Sequence, residues 1–217
     1  MNGLFIRQIR RSARMPDSDE YPFGLPVVRH LTELDFHSPV TFFVGENGTG
    51  KSTLLEAIAV GYGFNPEGGS VNFNFSTANT HSPLHGAITL VKGVRRARDG
   101  FFLRAESFYN VASEVDRLGI KDYYGGASLH AQSHGEAFMS LLLDRFSGNG
   151  LYLLDEPEAA LSPSRQMAML SRMHELARQG SQFLIASHSP ILMAYPGAEI
   201  LVLGEDDFEP DPEDPEN

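Results

Sequence analysis

Residues 45–52 read Gly-Glu-Asn-Gly-Thr-Gly-Lys-Ser, the pattern G-x-x-x-x-G-K-[ST]. Residue types at this spacing bind phosphate. Gly45, Gly48 and Gly50 leave the backbone free to turn tightly and aim its N–H groups inward. The candidate cradle runs through Gly45, Glu46, Asn47, Gly48, Thr49, Gly50, Lys51, Ser52 and Thr53. The positive end of a following helix adds to its field. Lys51 would reach the β- and γ-phosphates of a nucleotide, and the Ser52 hydroxyl would ligate Mg²⁺.

Two further groups suit the same chemistry. Asp155-Glu156 closes the apolar run 151–154, and His188 follows the apolar run 183–186. In a doubly wound sheet, ligands bind at the edge where strands end. Asp155 there can hold Mg²⁺ through water, and Glu156 can polarise the attacking water as a general base. A lone histidine is usually structural. One that follows a strand end beside Asp155-Glu156 is better read as a sensor of the γ-phosphate.

The elements that position these groups are legible in outline. Residues 39–44 are short, apolar and β-branched, as a buried strand should be, and residues 53–60 have helical spacing. The loop therefore sits between a strand and a helix. Residues 4–9, 27–36, 87–91, 101–103 and 200–203 read as further strands, with a turn at 98–100. Residues 71–75 alternate like a half-exposed strand. Helices are expected at 107–118, 135–146 and 163–178, with a loop at 119–130. The last helix carries Met167, Met169 and Met173, read as core packing. Strands alternating with helices imply an α/β fold with a mainly parallel sheet.

The chain has 217 residues, enough for one sizeable α/β domain, expected over 1–204. No run of eighteen apolar residues occurs, so no membrane insertion is expected, and the first residues lack the apolar core of a signal peptide. There is no cysteine, which excludes disulfides, thiolate metal sites and cysteine nucleophiles. A cytoplasmic location fits these features. Residues 205–217 hold eight acids and no base, and account for most of the net charge of −11; this stretch is expected to be a disordered acidic tail. Only three lysines occur. Arginines gather instead at Arg7, Arg10, Arg11 and Arg14, and at Arg95, Arg96, Arg98 and Arg104. Arginine suits phosphate and nucleic-acid contacts, but with a body near neutral the plainer reading is a solvated strand face and turn that balance nearby acids.

Together, Gly45–Ser52, Asp155-Glu156-Pro157-Glu158 and Ser187-His188-Ser-Pro190 resemble the Walker A, Walker B and switch-histidine motifs of the ABC-type ATPases. Ser133-His-Gly135-Glu136 resembles the signature motif of that class, and Ala160-Leu-Ser-Pro163 lies where its D-loop falls. The likeness spans most of residues 3–203. It is closest to small stand-alone ATPases related to the heads of structural-maintenance-of-chromosomes and RecF-type proteins, a branch suggested by 101–107 and 189–196.

The resemblance implies a P-loop fold with an N-terminal antiparallel β portion and a short helical lobe. It implies ATP and Mg²⁺ as ligands, ATP hydrolysis, and an ATP-dependent homodimer. In that dimer Ser133 and Gly135 of one chain face the γ-phosphate held by Lys51 of the other. Three departures stand out. His134 replaces a signature glycine. No glutamine occurs between Ser52 and Gln132, so Glu106 is the candidate to help order Mg²⁺ or water. Only 27 positions separate Glu106 from Ser133, too few for a coiled-coil arm and short for the lobe that grips a membrane partner. Two alternatives stay open: the motor subunit of a transporter, and a nucleotide-gated module that binds DNA or protein. Tyr21 and Phe23 are candidates to stack on a base, or are core. His81 with His85, and His130 with His134, have no third ligand within sequence reach, which argues against zinc.

Overall fold

The computed structural model describes residues 3–71, 82–104, 133–204 and 208–210. In chain order the strands are β1 (Ile6–Arg11), β2 (Glu33–Asp35), β3 (Val40–Val44), β4 (Ile88–Lys92), β5 (Asp99–Arg104), β6 (Gly150–Asp155), β7 (Gln182–Ala186), β8 (Glu199–Leu203) and β9 (Phe208–Pro210). The helices are α1 (Pro26–Arg29), α2 (Lys51–Tyr62), α3 (His134–Ser140), α4 (Pro163–Arg178) and α5 (Pro190–Met193).

The main sheet has the order β5-β6-β7-β3-β8-β9. Its first five strands are parallel and β9 runs antiparallel to β8. Strand β9 lies within the acidic stretch 205–217. A parallel sheet is buried on both faces, which explains why β6 and β7 are buried throughout and mostly apolar. The period of two then divides the side chains. Phe43, Leu151, Leu153 and Leu184 join the core beneath α2, with Leu54, Leu55 and Ile58. Phe42, Tyr152, Leu154, Phe183 and Ile185 join the opposite core beneath α3 and α4, with Phe138, Met169, Met173 and Leu176.

A second sheet, β2-β1-β4, is antiparallel. It is tied to the first through Gln182, which is 1% exposed on β7. The Gln182 Oε1 accepts from the amides of Phe5 and Ile6 at 2.9 and 3.0 Å, and its Nε2 donates to the Ile6 carbonyl at 2.9 Å. The arrangement is the expected one: a mainly parallel sheet flanked by helices, with an antiparallel portion built from the N-terminal strands.

Several local expectations are corrected. Residues 27–36 form helix α1 followed by the short β2, not one strand. Pro26 at the first helical position presets φ for a helical turn, and Val27 and Val28 bury their branched side chains from that turn. The turn expected at 98–100 is the start of β5. There Asp99 pairs with Gly150, and a Cβ on Gly100 would lie 2.9 Å from the Leu151 carbonyl oxygen. The helix expected over 135–146 begins as α3 and ends in a π-helical turn, Leu141–Arg145. In α4, Met169 and Met173 are buried but Met167 is 59% exposed. Two helical residues subtend about 200°, which turns Met167 away from the face that Met169 shares with Met173. The expected elements at 107–118 and 119–130, and residues 72–75, lie outside the described residues.

Candidate functional site

The loop 45–50 leaves β3 and enters α2 through two positions that demand glycine. Gly45 has φ +150°, and a Cβ there would lie 2.5 Å from the Leu203 carbonyl oxygen, so the loop passes β8 at backbone contact. Gly50 caps α2 at φ +102°, with Val27 Cγ1 2.6 Å from where a Cβ would stand. The loop is braced internally by Thr49, whose Oγ1 donates to the Glu46 carbonyl at 3.0 Å. Asn47 and Gly48 are exposed, and a Cβ on Gly48 would meet nothing within 4 Å, so the loop is open on that side.

Lys51 begins α2 and is only 4% exposed. Its Nζ donates to the carbonyls of Gly45 and Glu46, both at 2.8 Å. Burial pushes the ammonium below the ordinary lysine value, while the carboxylates of Glu156, Asp155 and Glu158 pull it back up. Ser52 Oγ donates to Asp155 Oδ1 at 2.8 Å.

Strand register explains why these groups meet. Phe43 of β3 and Asp155 of β6 are both partners of Ala186 in β7. The phosphate loop, the acid pair and the histidine therefore leave adjacent strand ends. The Glu156 amide donates to the Ala186 carbonyl at 2.9 Å, and Glu156 is held at φ +49°, rare for a residue with a Cβ. That turn sets its carboxylate 3.8 Å from His188 Nε2, with both side chains part-exposed. The structure thus brings together Lys51, Ser52, Asp155, Glu156 and His188.

Ser133 and Gly135 are placed elsewhere. Ser133 caps α3 through a capping box: its Oγ accepts from the Glu136 amide at 3.4 Å while its own amide donates to Glu136 Oε2 at 2.9 Å, and its Oγ also donates to that oxygen at 2.6 Å. Those bonds hold the Glu136 carboxyl below its usual value. A Cβ on Gly135 would lie 2.6 Å from the Ala160 carbonyl oxygen and 2.5 Å from Arg165 Nη1. Among the described residues, neither Ser133 nor Gly135 has a hydrogen bond to the phosphate loop. Glu106 lies outside the described residues. Tyr21 stands beside the loop, 67% exposed, with its hydroxyl 3.3 Å from Thr53 Oγ1, whereas Phe23 packs against the core.

Sequence reasoning gave three neighbours no part in the site. Arg104 ends β5 in register with Asp155. Its Nε lies 3.8 Å from Asp155 Oδ2, and its Nη1 donates to Glu56 Oε2 at 2.5 Å. A basic residue closing the strand before an acidic one was the available signal. Glu158 Oε1 accepts from the His188 amide at 2.5 Å; the run Asp-Glu-Pro-Glu contained it but pointed to no contact with His188. Gln166 is 8% exposed, a polar residue on the buried face that α4 builds with Met169, Met173 and Leu176.

The donors at this edge suit a phosphate with Mg²⁺: main-chain amides, one ammonium, and oxygen ligands from a hydroxyl and a carboxylate. Gly48 leaves the cradle free of side-chain atoms where phosphate would enter.

Comparison with known proteins agrees. A family model described as "AAA domain" matches residues 23–108, and one described as "AAA domain, putative AbiEii toxin, Type IV TA system" matches residues 136–194. The cytochrome c biogenesis ATP-binding export protein CcmA of Legionella pneumophila strain Paris is 26% identical over 177 residues, covering 74% of this chain and 86% of that protein. The thiamine import ATP-binding protein ThiQ of Vibrio cholerae is 29% identical over 168 residues, 69% of this chain and 68% of its own length. The ABC transporter G family member STR2 of Medicago truncatula is 25% identical over 171 residues, but the match spans only 24% of that protein. Among solved structures, a structural-maintenance-of-chromosomes head domain from Thermotoga maritima has a TM-score of 0.47 at 15% identity, covering 95% of this chain and 97% of that one. A dimeric bacterial ABC transporter cassette has a TM-score of 0.46 at 15% identity, covering 82% and 87%. No helix among the described residues is long and apolar enough to cross a membrane. Two AAA-domain models match on either side of residues 109–135, and Lys51, Ser52 and Asp155 gather at one sheet edge, so the chain is similar in sequence and in site to the AAA/ABC-type P-loop ATPase domains.

Proposed function

We propose that this chain binds Mg·ATP at residues 45–53 and hydrolyses its terminal anhydride, and that two copies close on two nucleotides. The observation that carries this reading is the Ser52–Asp155 hydrogen bond at 2.8 Å, with Glu156 next in sequence and 3.8 Å from His188. Lys51 exchanges the carbonyls of Gly45 and Glu46 for phosphate oxygens. Ser52 and Asp155 are the residues that would hold Mg²⁺, which when bound offsets negative charge on the phosphates. Glu156 accepts the proton of the attacking water, and His188 contacts the γ-phosphate. Ser133 and Gly135 serve the site of the second copy.

Calorimetry tests the first step: Mg·ATP should bind the unaltered protein and lose most of its heat with Lys51→Ala. Sizing of Glu156→Gln with and without Mg·ATP tests the second. A shift from one copy to two supports the closed pair, and an unchanged size rejects it.

A second reading is the motor subunit of a transporter whose membrane partner is a separate chain. It is favoured by the relatives matched over most of their length, one named an export and one an import ATP-binding protein. Co-purification with a membrane protein would select it. A nucleic-acid role would instead use the exposed Arg7, Arg10, Arg11, Arg14, Arg95, Arg96 and Arg98. Salt-sensitive DNA binding that stimulates turnover would select that role.

A further inference from the structure

We infer that Gln166 and Glu158 are positioning residues that hold His188 against Glu156 and couple its placement to the segment 160–163. The inference rests on the ATPase reading above. The His188 ring is part-exposed, and 3.8 Å separates it from Glu156. Its place is therefore governed by its backbone, and that backbone is bonded on both flanks to the segment that follows Glu156.

On one flank, the His188 amide donates to Glu158 Oε1 at 2.5 Å. On the other, Ser189 Oγ donates to Gln166 Oε1 at 2.5 Å and accepts from the Leu192 amide at 3.3 Å. The Ser189 amide donates to Ser187 Oγ at 3.0 Å. The opposite end of the same amide group, Gln166 Nε2, donates to the Leu161 carbonyl at 3.1 Å. Ser187, Ser189, Leu161 and Gln166 are all buried.

Glutamine is the side chain this relay requires. It offers a donor and an acceptor on one rigid plane, and the Leu161 carbonyl fixes which end is the donor. A buried chain of this kind is costly to break, because each orphaned group stays out of water. The helix α4 thus bonds one face of its first turn to both loops. A shift of residues 160–163 is passed to His188 rather than absorbed. Ser162 and Pro163 are exposed, and the Ala160 carbonyl abuts Gly135. This segment accordingly sits on the surface that the pairing of two copies would use.

The test uses Gln166→Met, which keeps length and burial and removes both hydrogen bonds. It should lower kcat by about 10–10²-fold, as for a displaced catalytic group, with KM within about twofold. In a His188→Ala background it should lower kcat no further, because the group it positions is gone. Equal losses in both backgrounds, or an unchanged kcat, would overturn the inference. Gln166→Glu supplies an independent check should the Met variant fold poorly. A buried carboxyl facing the Leu161 carbonyl is driven neutral, and its protonated form copies the amide, so kcat relative to wild type should recover as the pH falls. A constant ratio across pH counts against the relay.

A readout without turnover separates this inference from the ATPase reading. In the nucleotide-free protein, the His188 ring-proton signal, identified by its loss in His188→Ala, should move in both Gln166→Met and Glu158→Ala. An unmoved signal refutes the positioning role, whereas a protein that never hydrolyses ATP refutes only the reading beneath it.

Discussion

Ser52 and Asp155, 103 positions apart in sequence, share a 2.8 Å hydrogen bond that joins the first turn of α2 to the end of β6. One oxygen of Asp155 is thereby committed to the phosphate-loop helix, and the other faces Arg104 at 3.8 Å. On the proposed reading, Mg²⁺ would take the place of one of these partners. Asp155→Asn should weaken the Mg²⁺-dependent part of ATP affinity by about 10–100-fold, and should leave Mg²⁺-free nucleotide binding nearly unchanged. Titrations with and without excess chelator measure both arms.

Glu156 carries a different burden. It stands at φ +49° because its amide is anchored to Ala186, and glutamine can adopt that backbone as readily as glutamate. Glu156→Gln therefore removes basicity with little change of shape. Turnover should fall by about 10²–10⁴-fold with ATP affinity preserved. Single-turnover assays would show the loss in the chemical step itself, and a loss confined to product release would remove Glu156 from the role of base.

The phosphate loop makes a steric prediction. At Gly50 an added methyl meets Val27 Cγ1 at 2.6 Å and must adopt φ +102°. Val27 belongs to α1 and the buried core and has no free direction in which to retreat. Gly50→Ala should cost about 1–3 kcal/mol in stability and abolish measurable ATP binding, read by chemical denaturation and calorimetry. Gly48→Ala meets no atom within 4 Å and should be the milder change.

How far the sequence foretold this arrangement depended on whether local pattern or tertiary contact decided each element. The meeting of these groups at one sheet edge was legible from the strands: Asp155-Glu156 and His188 follow apolar runs, and Ser52 follows the apolar β3 through the glycine loop. Helix α4 was legible to the residue, because Pro163 opens it and the apolar spacing persists to its end. Residues 27–36 were not, since Val27 and Val28 suit a strand and a buried helical turn equally. The choice there was made by Pro26 and by the core. Gln166, and the pairing of Arg104 with Asp155, were hidden for another reason. Each residue is ordinary in its own element and acquires meaning from a partner distant in sequence, Ser189 for Gln166 and Asp155 for Arg104.

Away from the nucleotide edge, Asp99 anchors the opposite end of β5. Its Oδ1 accepts from Arg145 Nη1 at 2.6 Å, and its Oδ2 accepts from Ser147 Oγ at 2.8 Å and lies 3.0 Å from the Tyr152 hydroxyl. Burial pushes this carboxyl up, but the charge of Arg145 and the three hydrogen bonds outweigh it and hold it below the ordinary value of 3.8. Burial first, and then the negative charge of Asp99, push the Tyr152 hydroxyl well above its ordinary value, so it stays neutral. A carboxyl with a depressed pKa in the folded protein contributes stability that is complete above its unfolded value and fades as the pH falls through the folded one. Asp99→Asn should therefore cost about 2–3 kcal/mol at pH 7, since Arg145 loses its counter-charge in a part-buried setting. That gap should hold down to about pH 5 and shrink below about pH 4, as Asp99 of the wild-type protein becomes protonated and the two proteins converge. Urea unfolding at pH 7, 5 and 3 decides the matter. A gap that stays constant to pH 3 would mean that the cost comes from misfit of the amide rather than from the lost charge pair.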